Sequence, residues 1–227
     1  MTRVLIPARA GSKGIPNKNL SLVRGRPLIF YTINESLKIF QPEKIFVSSD
    51  SDNILEYSQD LGINIIKRPS EIAGDTSTSS EVIEHFIHHE NLTEQEDCKI
   101  IYLQPTSPLR RADHIRESIK IFENNNKAES LVSVVKSSEY PHKAFILNGD
   151  FLKYFIDDDN RSESRQLLPK LYYPNGAIYI FRVGPFLECN KIPSRNIIPY
   201  FMDKLDSIDI DDIIDLQRAE MVLNARK

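Results

Sequence analysis

Only two cysteines, Cys98 and Cys189, occur in the 227 residues, and they form no C-x-x-C pair. That scarcity argues against a disulfide framework and leads to the expectation of a reduced, cytoplasmic compartment. Long apolar runs are also missing. The N-terminal run "VLIPA" is too short for the apolar centre of a signal peptide and far too short to span a bilayer. Neither sign of charge dominates: 29 Lys and Arg stand against 32 Asp and Glu, a net charge of -3. Neither a nucleic-acid groove nor an anionic membrane surface is therefore expected as a partner. No internal repeat, low-complexity tract or linker divides the chain, and its length suits one sizeable core. Residues 1–227 are read as a single domain.

Strand-like and helix-like runs alternate over the first 135 residues. "RVLIPA" (3–8), "KIFVSSD" (44–50), "INIIKRP" (63–69), "KIIYLQP" (99–105) and "SLVSVV" (130–135) read as buried strands. Between them, 27–40, 52–62, 79–90 and 112–125 carry apolar residues at helical spacing. Strands separated by helical segments of this length predict parallel βαβ units, hence a doubly wound, mostly parallel α/β sheet. The rhythm breaks near residue 137. Residues 139–174 are polar and rich in Tyr and Phe, with an Asn-Gly turn at 148–149, and read as a hairpin-bearing excursion that reaches a neighbouring subunit. "NGAIYIFRV" (175–183) resumes as a strand and 210–227 closes the chain as a helix.

The loop after the first strand, "RAGSKGIPNKN" (9–19), concentrates Arg9, Gly11, Ser12, Lys13, Gly14, Lys18 and Asn19. No glycine is followed by lysine, so it is not a Walker loop, and no two glycines stand two apart, so it is not a dinucleotide fingerprint. Its place at the carboxyl end of a strand is where open α/β sheets bind ligands. Three cations and two glycines suit a triphosphate, although a solvated basic turn has the same composition. Near the far end, "DSIDIDD" (206–212) alternates isoleucines with Asp209 and Asp211. In extended backbone these two carboxylates converge while Ile208 and Ile210 pack inward. A divalent cation or the capping of the next helix accounts for such a cluster, and Asp212 is the better capping residue. His85, His88 and His89 share a helix face, but no H-E-x-x-H or matching ligand completes a zinc set, so a solvated face is expected. The aspartates of residues 157–159 lack the glycine and distal glutamate of a calcium loop.

"IPARAGSKGIPNKN" resembles the N-terminal signature of the sugar-acid cytidylyltransferases, in particular the acylneuraminate (CMP-sialic acid synthetase) branch. Four further segments agree in order: "RPSEIAGDTSTSS" (68–80), "LQPTSPLR" (103–110), "RQLLPKLYYPNGAIYIF" (165–181) and "DSIDIDD". The resemblance implies a Rossmann-like nucleotidyltransferase fold that transfers CMP from CTP to a nine-carbon 2-keto sugar acid and releases pyrophosphate. N-acetylneuraminate is the favoured acid, with legionaminate, pseudaminate or Kdo as alternatives. Arg9, Lys13 and Lys18 would hold the phosphates beside Gly11 and Ser12, while Asn19, Arg68 and Ser79 would contact the nucleotide. Without the resemblance, the 68–80 loop reads as a helix cap through Ser79 or a neighbour. Gln104, Lys143, Arg165 and Tyr179 match sugar-side positions, and Asp209 and Asp211 match the positions that bind Mg²⁺ (or Mn²⁺). A homodimer is implied through the 139–174 excursion. The chain departs from its relatives at 186–195, where paired aromatics from a partner subunit are reduced to Phe186. A non-catalytic nucleotide-binding or sugar-phosphate-binding module on the same fold is the rival of another class.

Overall fold

The computed structural model describes residues 1–12, 14–156 and 168–226. Lys13, Arg165 and the aspartates of 157–159 lie outside the described residues.

Eleven strands and six α-helices follow one another among the described residues. Strand β1 (Thr2–Pro7) leads into the opening loop, which returns through the short β2 (Leu22–Val23) and β3 (Arg26–Pro27) to α1 (Leu28–Leu37). Then come β4 (Ile45–Ser49), α2 (Asp52–Asp60), β5 (Asn64–Lys67), α3 (Ser79–His89), β6 (Lys99–Tyr102), α4 (Ala112–Glu123) and β7 (Ser130–Lys136). A separate hairpin, β8 (Phe145–Asn148) and β9 (Phe151–Tyr154), precedes β10 (Tyr172–Arg182), α5 (Val183–Cys189), β11 (Ile197–Phe201) and α6 (Ile213–Ala225).

Seven strands form one sheet in the order β11-β7-β10-β6-β1-β4-β5. Only β10 runs antiparallel to its neighbours; the other pairings are parallel. The sheet is therefore doubly wound and mostly parallel, as the alternation of runs predicts. Side-chain alternation places Val4, Ile6 and Ile101 in one core with Ile29, Ile33 and Ile115 from α1 and α4. It turns Leu5, Ile100 and Tyr102 the other way, against Ile83 and Phe86 of α3. A third apolar cluster lies under the opening loop and joins Ile15, Leu109, Ile210, Leu216 and Ala219. This cluster seats the loop on the far end of the chain.

Helix starts obey local chemistry. Thr78 caps α3 in a reciprocal box with Glu81, whose carboxylate accepts from the Thr78 N–H at 2.6 Å. The cap is thus Ser79's neighbour and not Ser79. Asp212 caps α6, accepting from Ile214 N at 2.8 Å and Asp215 N at 3.0 Å, so the helix begins at 213 instead of 210. Three further boundaries differ from the sequence expectation. β10 begins at Tyr172, inside the expected excursion, because its first residues pair with β7 (Tyr173↔Val135) before a bulge between Pro174 and Tyr179. α5 and β11 lie in 183–201, where the sequence reading names no helix and no strand beyond Val183. Phe186 sits on α5, buried against Phe181, and is not a displayed aromatic.

The excursion carries the expected hairpin, turning at Gly149 with φ +63°, and it exposes Phe145, Leu147, Phe151, Leu152 and Phe155.

Candidate active site

Eight residues selected from the sequence line one cleft of about 210 Å³ at the carboxyl edge of the sheet: Arg9, Gly11, Ser12, Lys18, Asn19, Arg68, Ser79 and Gln104. They arrive from the opening loop, from the segment after β5, from the start of α3 and from the end of β6. Strand ends with short following turns bring them together, as expected for a ligand crevice in this class of sheet.

The opening loop is held at both ends. Ala10 N donates to Asp50 Oδ1 at 2.8 Å, and the buried Asn19 donates from Nδ2 to the Arg9 carbonyl at 2.9 Å. Asn19 Oδ1 is buried without a partner, an acceptor left for a donor in the cleft. Lys18 Nζ donates to the Ile210 carbonyl at 2.6 Å and lies 3.5 Å from Asp211 Oδ1. Gly14 completes the docking. A Cβ on it would sit 2.0 Å from the Asp211 carbonyl oxygen, so only glycine lets the two backbones touch. Gly11 has no such neighbour and faces the cleft.

Arg9 pairs with Asp75 Oδ1 at 2.6 Å, both side chains part-exposed. Arg68 is 4% exposed and donates from Nε and Nη2 to the hydroxyl and carbonyl of Ser48, at 3.2 and 2.8 Å. Burial pushes its pKa down, with the Tyr102 hydroxyl and Asp50 opposing. Tyr102 donates to Ser79 Oγ at 3.1 Å and meets the Tyr179 ring edge-on, centroids 6.1 Å apart. Burial pushes Tyr102 up to about 12. Burial also raises Tyr179, and the nearby charge of Asp209 adds to it. Lys143 is not part of this cleft; it lies with Tyr140, Phe155 and Tyr173 in a second cleft of about 340 Å³ beneath the hairpin.

Asp209 and Asp211 are in Coulombic reach of one another but differ in setting. Asp211 is solvent-facing, whereas Asp209 is half-buried and its buried Oδ1 has no hydrogen-bond partner. Ile210 between them is fully buried and Ile208 packs on the same cluster, so the isoleucines point inward as expected, but the aspartates do not both face outward: only Asp211 does. Burial raises the Asp209 pKa and the Asp211 charge adds to the rise, while the Thr106 hydroxyl and Lys18 work against it. A buried, unpartnered carboxylate oxygen beside a second carboxylate is a donor set that suits a hard divalent cation completed by substrate phosphates. Among the described residues no group of three or more His, Cys, Asp or Glu side chains is placed to hold a metal by itself. His88 and His89 are solvent-exposed, as expected for that helix face, but His85 is half-buried, its Nδ1 has no partner and burial lowers its pKa.

Several site residues escape the sequence reading. Asp75 and Asp50 each engage a piece of the opening loop; Asp50 directly follows β4 at the ligand-bearing edge, which is the signal that finds it. Gly176 has φ +73°, and a Cβ there would lie 2.6 Å from Gln104 Oε1 and 3.1 Å from Asp209 Oδ2. Arg110 is wholly buried behind this contact, and burial lowers its pKa to about 9, which leaves it charged at neutral pH. No sequence pattern marks either role.

The cytidylyltransferase family model matches residues 3–225. An N-acylneuraminate cytidylyltransferase of Escherichia coli is 35% identical over 95% of this chain and 50% of that protein. A CMP-N,N'-diacetyllegionaminic acid synthase of Legionella pneumophila is 31% identical over 96% of this chain and 94% of its own length. The chain thus spans about half the length of the first curated relatives it matches. In fold it is similar to a solved CMP:2-keto-3-deoxy-manno-octonic acid synthetase complexed with CTP, with a TM-score of 0.71, 14% identity, and coverage of 100% of this chain and 99% of that one. Sequence match and fold likeness agree, and the chain belongs to the cytidylyltransferase family.

Proposed function

We propose that this chain is a CMP-sugar synthetase that transfers CMP from CTP to the anomeric hydroxyl of a nine-carbon 2-keto sugar acid and releases pyrophosphate. N-acetylneuraminate is the favoured acid, on the name of the Escherichia coli relative; legionaminate is the next, on that of the Legionella relative. The observation that carries the reading is the docking of the cationic opening loop on the aspartate segment, through Gly14 and Lys18. A simple binding module needs no such junction between a phosphate cradle and a carboxylate pair.

Each residue then has a task, either in the cleft or, for Tyr179, Asp209 and Asp211, beside it. Arg9, Lys18 and the glycine-flanked backbone at Gly11 and Ser12 take the triphosphate, and Lys13 and Arg165 are assigned to phosphate and sugar by resemblance alone. Asn19 Oδ1, Arg68 and Ser79 offer an acceptor, a buried cation and a hydroxyl to the cytidine. Their fixed orientation discriminates the base, because a ligand that fails to match leaves buried polar groups unpaired. Gln104 and Tyr179 face the sugar side next to Asp209. Asp209 and Asp211 would hold Mg²⁺ (or Mn²⁺), which when bound supplies charge neutralisation of the phosphates and lowers the pKa of a coordinated hydroxyl. The protein's own contribution is positioning plus cationic stabilisation of the departing pyrophosphate, which needs no covalent enzyme intermediate.

The same reading makes residues 1–227 one cytidylyltransferase domain whose 139–174 excursion joins two copies and brings Lys143 to the sugar. The exposed Phe145, Leu147, Phe151, Leu152 and Phe155 support it, since a patch of that kind is commonly an interface. Sedimentation at the dimer mass is expected, and a monomer would count against it. A cytoplasmic location fits the activity; among the described residues no helix is long and apolar enough to cross a membrane. The functional test is pyrophosphate release from CTP with Mg²⁺, with and without N-acetylneuraminate. Release that depends on the acid is expected, and Asp211→Ala, at an exposed position, should abolish it without unfolding the protein. Absence of release with every nonulosonic acid would reject the enzyme reading.

A further inference from the structure

Arg110 is the bulkiest of the fully buried side chains among the described residues, and its hydrogen bonds go to two carbonyls and a hydroxyl, with Nε left unpartnered, rather than to a carboxylate. Glu35 and Asp209 are the acids whose charges it feels. Burying a cation without a contact ion is costly, and an apolar side chain of similar volume would fill the space without that cost. The guanidinium must therefore be explained by what it bonds. Its Nη1 donates to two carbonyls at once, Gln104 at 3.0 Å and Ala177 at 2.7 Å, and its Nη2 donates to the hydroxyl of Thr32 on α1.

Both carbonyls belong to segments that face the site. Gln104 follows β6 and lines the cleft. Ala177 lies in the β10 bulge, next to Gly176, over which Gln104 Oε1 and Asp209 Oδ2 meet. How the Gln104 segment sits over Gly176 is thus set by the spacing of the two carbonyls, and one nitrogen atom spans both. We propose that Arg110 is a positioning residue, a buried fork that clamps the Gln104 segment to the β10 bulge and thereby fixes the sugar-side wall of the site. The sugar-side part of this assignment rests on the proposed function; the clamp itself does not. Lysine keeps the charge but presents one nitrogen where arginine uses two, so it cannot reach Thr32 and both carbonyls together.

Hydrogen exchange of the free protein and initial rates test the two parts separately. In Arg110→Lys, peptides covering 103–108 and 174–179 should exchange about tenfold faster while those of the opening loop, 9–20, stay at the wild-type rate. With CTP and Mg²⁺, the KM for N-acetylneuraminate should rise, or kcat fall, by about tenfold, the scale expected for misplacement of well under 1 Å to 1 Å. CTP affinity, measured by calorimetry without the acid, should change less than about twofold, since Arg110 touches none of the phosphate-side residues. Uniformly faster exchange, or parallel losses for both substrates, would overturn the proposal, because a merely structural arginine gives that pattern. Wild-type protein that releases no pyrophosphate rejects the function reading and leaves the exchange result to decide the clamp. If Arg110→Lys does not fold, Thr32→Val removes only the third hydrogen bond and must loosen the same two segments by a smaller factor; unchanged exchange there overturns the proposal.

Discussion

Replacing Gly14 by alanine adds one methyl group at the junction on which the proposed function depends. The new Cβ would stand 2.0 Å from the Asp211 carbonyl oxygen and 3.2 Å from its carbon. A carbon rarely approaches a carbonyl oxygen closer than about 3.3 Å, so the loop and the aspartate segment must part by about 1 Å. Both contacting groups are backbone, so no rotamer change relieves the clash. Overpacking of this sort costs about 1–3 kcal/mol of stability, which a protein of ordinary stability survives. The effect on turnover should be larger. Lys18 bonds the Ile210 carbonyl at 2.6 Å across the same junction, so the phosphate cradle and the carboxylates move apart together. A displacement near 1 Å costs about 100-fold in rate. The assay is coupled pyrophosphate release, with a thermal melt on the same samples. Gly74→Ala is the control, because its Cβ would meet only Ser77 Oγ at 3.8 Å, an ordinary contact, and should alter the rate less than about twofold. A folded Gly14→Ala protein that turns over within threefold of wild type, on the order of 0.6 kcal/mol, would refute the reasoning.

Two further substitutions have definite signs. Asp75→Asn releases Arg9 from its 2.6 Å ion pair, and CTP should then bind up to about fivefold more tightly, the range of a part-exposed pair; weaker binding by calorimetry would contradict this. His114 is buried beside Asp206, and burial, assisted by Arg111 and opposed by Asp206 and Glu117, holds its pKa below the ordinary 6.5. The unfolded chain therefore takes up the proton first, so this contribution to stability is complete above pH 6.5 and is lost as pH falls through the lowered value. His114→Gln should flatten the slope of melting temperature against pH in that window, and an unchanged slope would exclude His114 as its source.

Most of the sheet was legible because its strands are local in sequence. Val4, Leu5 and Ile6 alternate into two apolar layers, and helices of ordinary length separate the parallel strands. What failed depends on distant partners. The first three residues of β10, Tyr172 to Pro174, read as the end of the excursion; only pairing with β7 makes them a strand. β11 contains Pro199 and is a strand because it lies beside β7 at the sheet edge, where a missing N–H is tolerated. The site shows the same division. Opening-loop and aspartate residues announce themselves by composition, and the cap at Asp212 follows from its place before an apolar helix. Arg110 and Asp75 do not, since an arginine in sequence looks the same whether it ends in solvent or between two carbonyls, and an aspartate in a Ser/Thr-rich loop gives no hint of Arg9. Gly176 could be suspected as a turn, but its role as the floor under Gln104 and Asp209 appears only when three segments meet.

Product analysis tests the central claim most directly. Purified protein is incubated with CTP, Mg²⁺ and, side by side, N-acetylneuraminate, legionaminate, pseudaminate and Kdo, and the mixtures are resolved by mass spectrometry. The account predicts a CMP-sugar formed one for one with pyrophosphate, fastest with N-acetylneuraminate. CTP that binds but stays intact with every acid would contradict it and leave a nucleotide-binding module in its place.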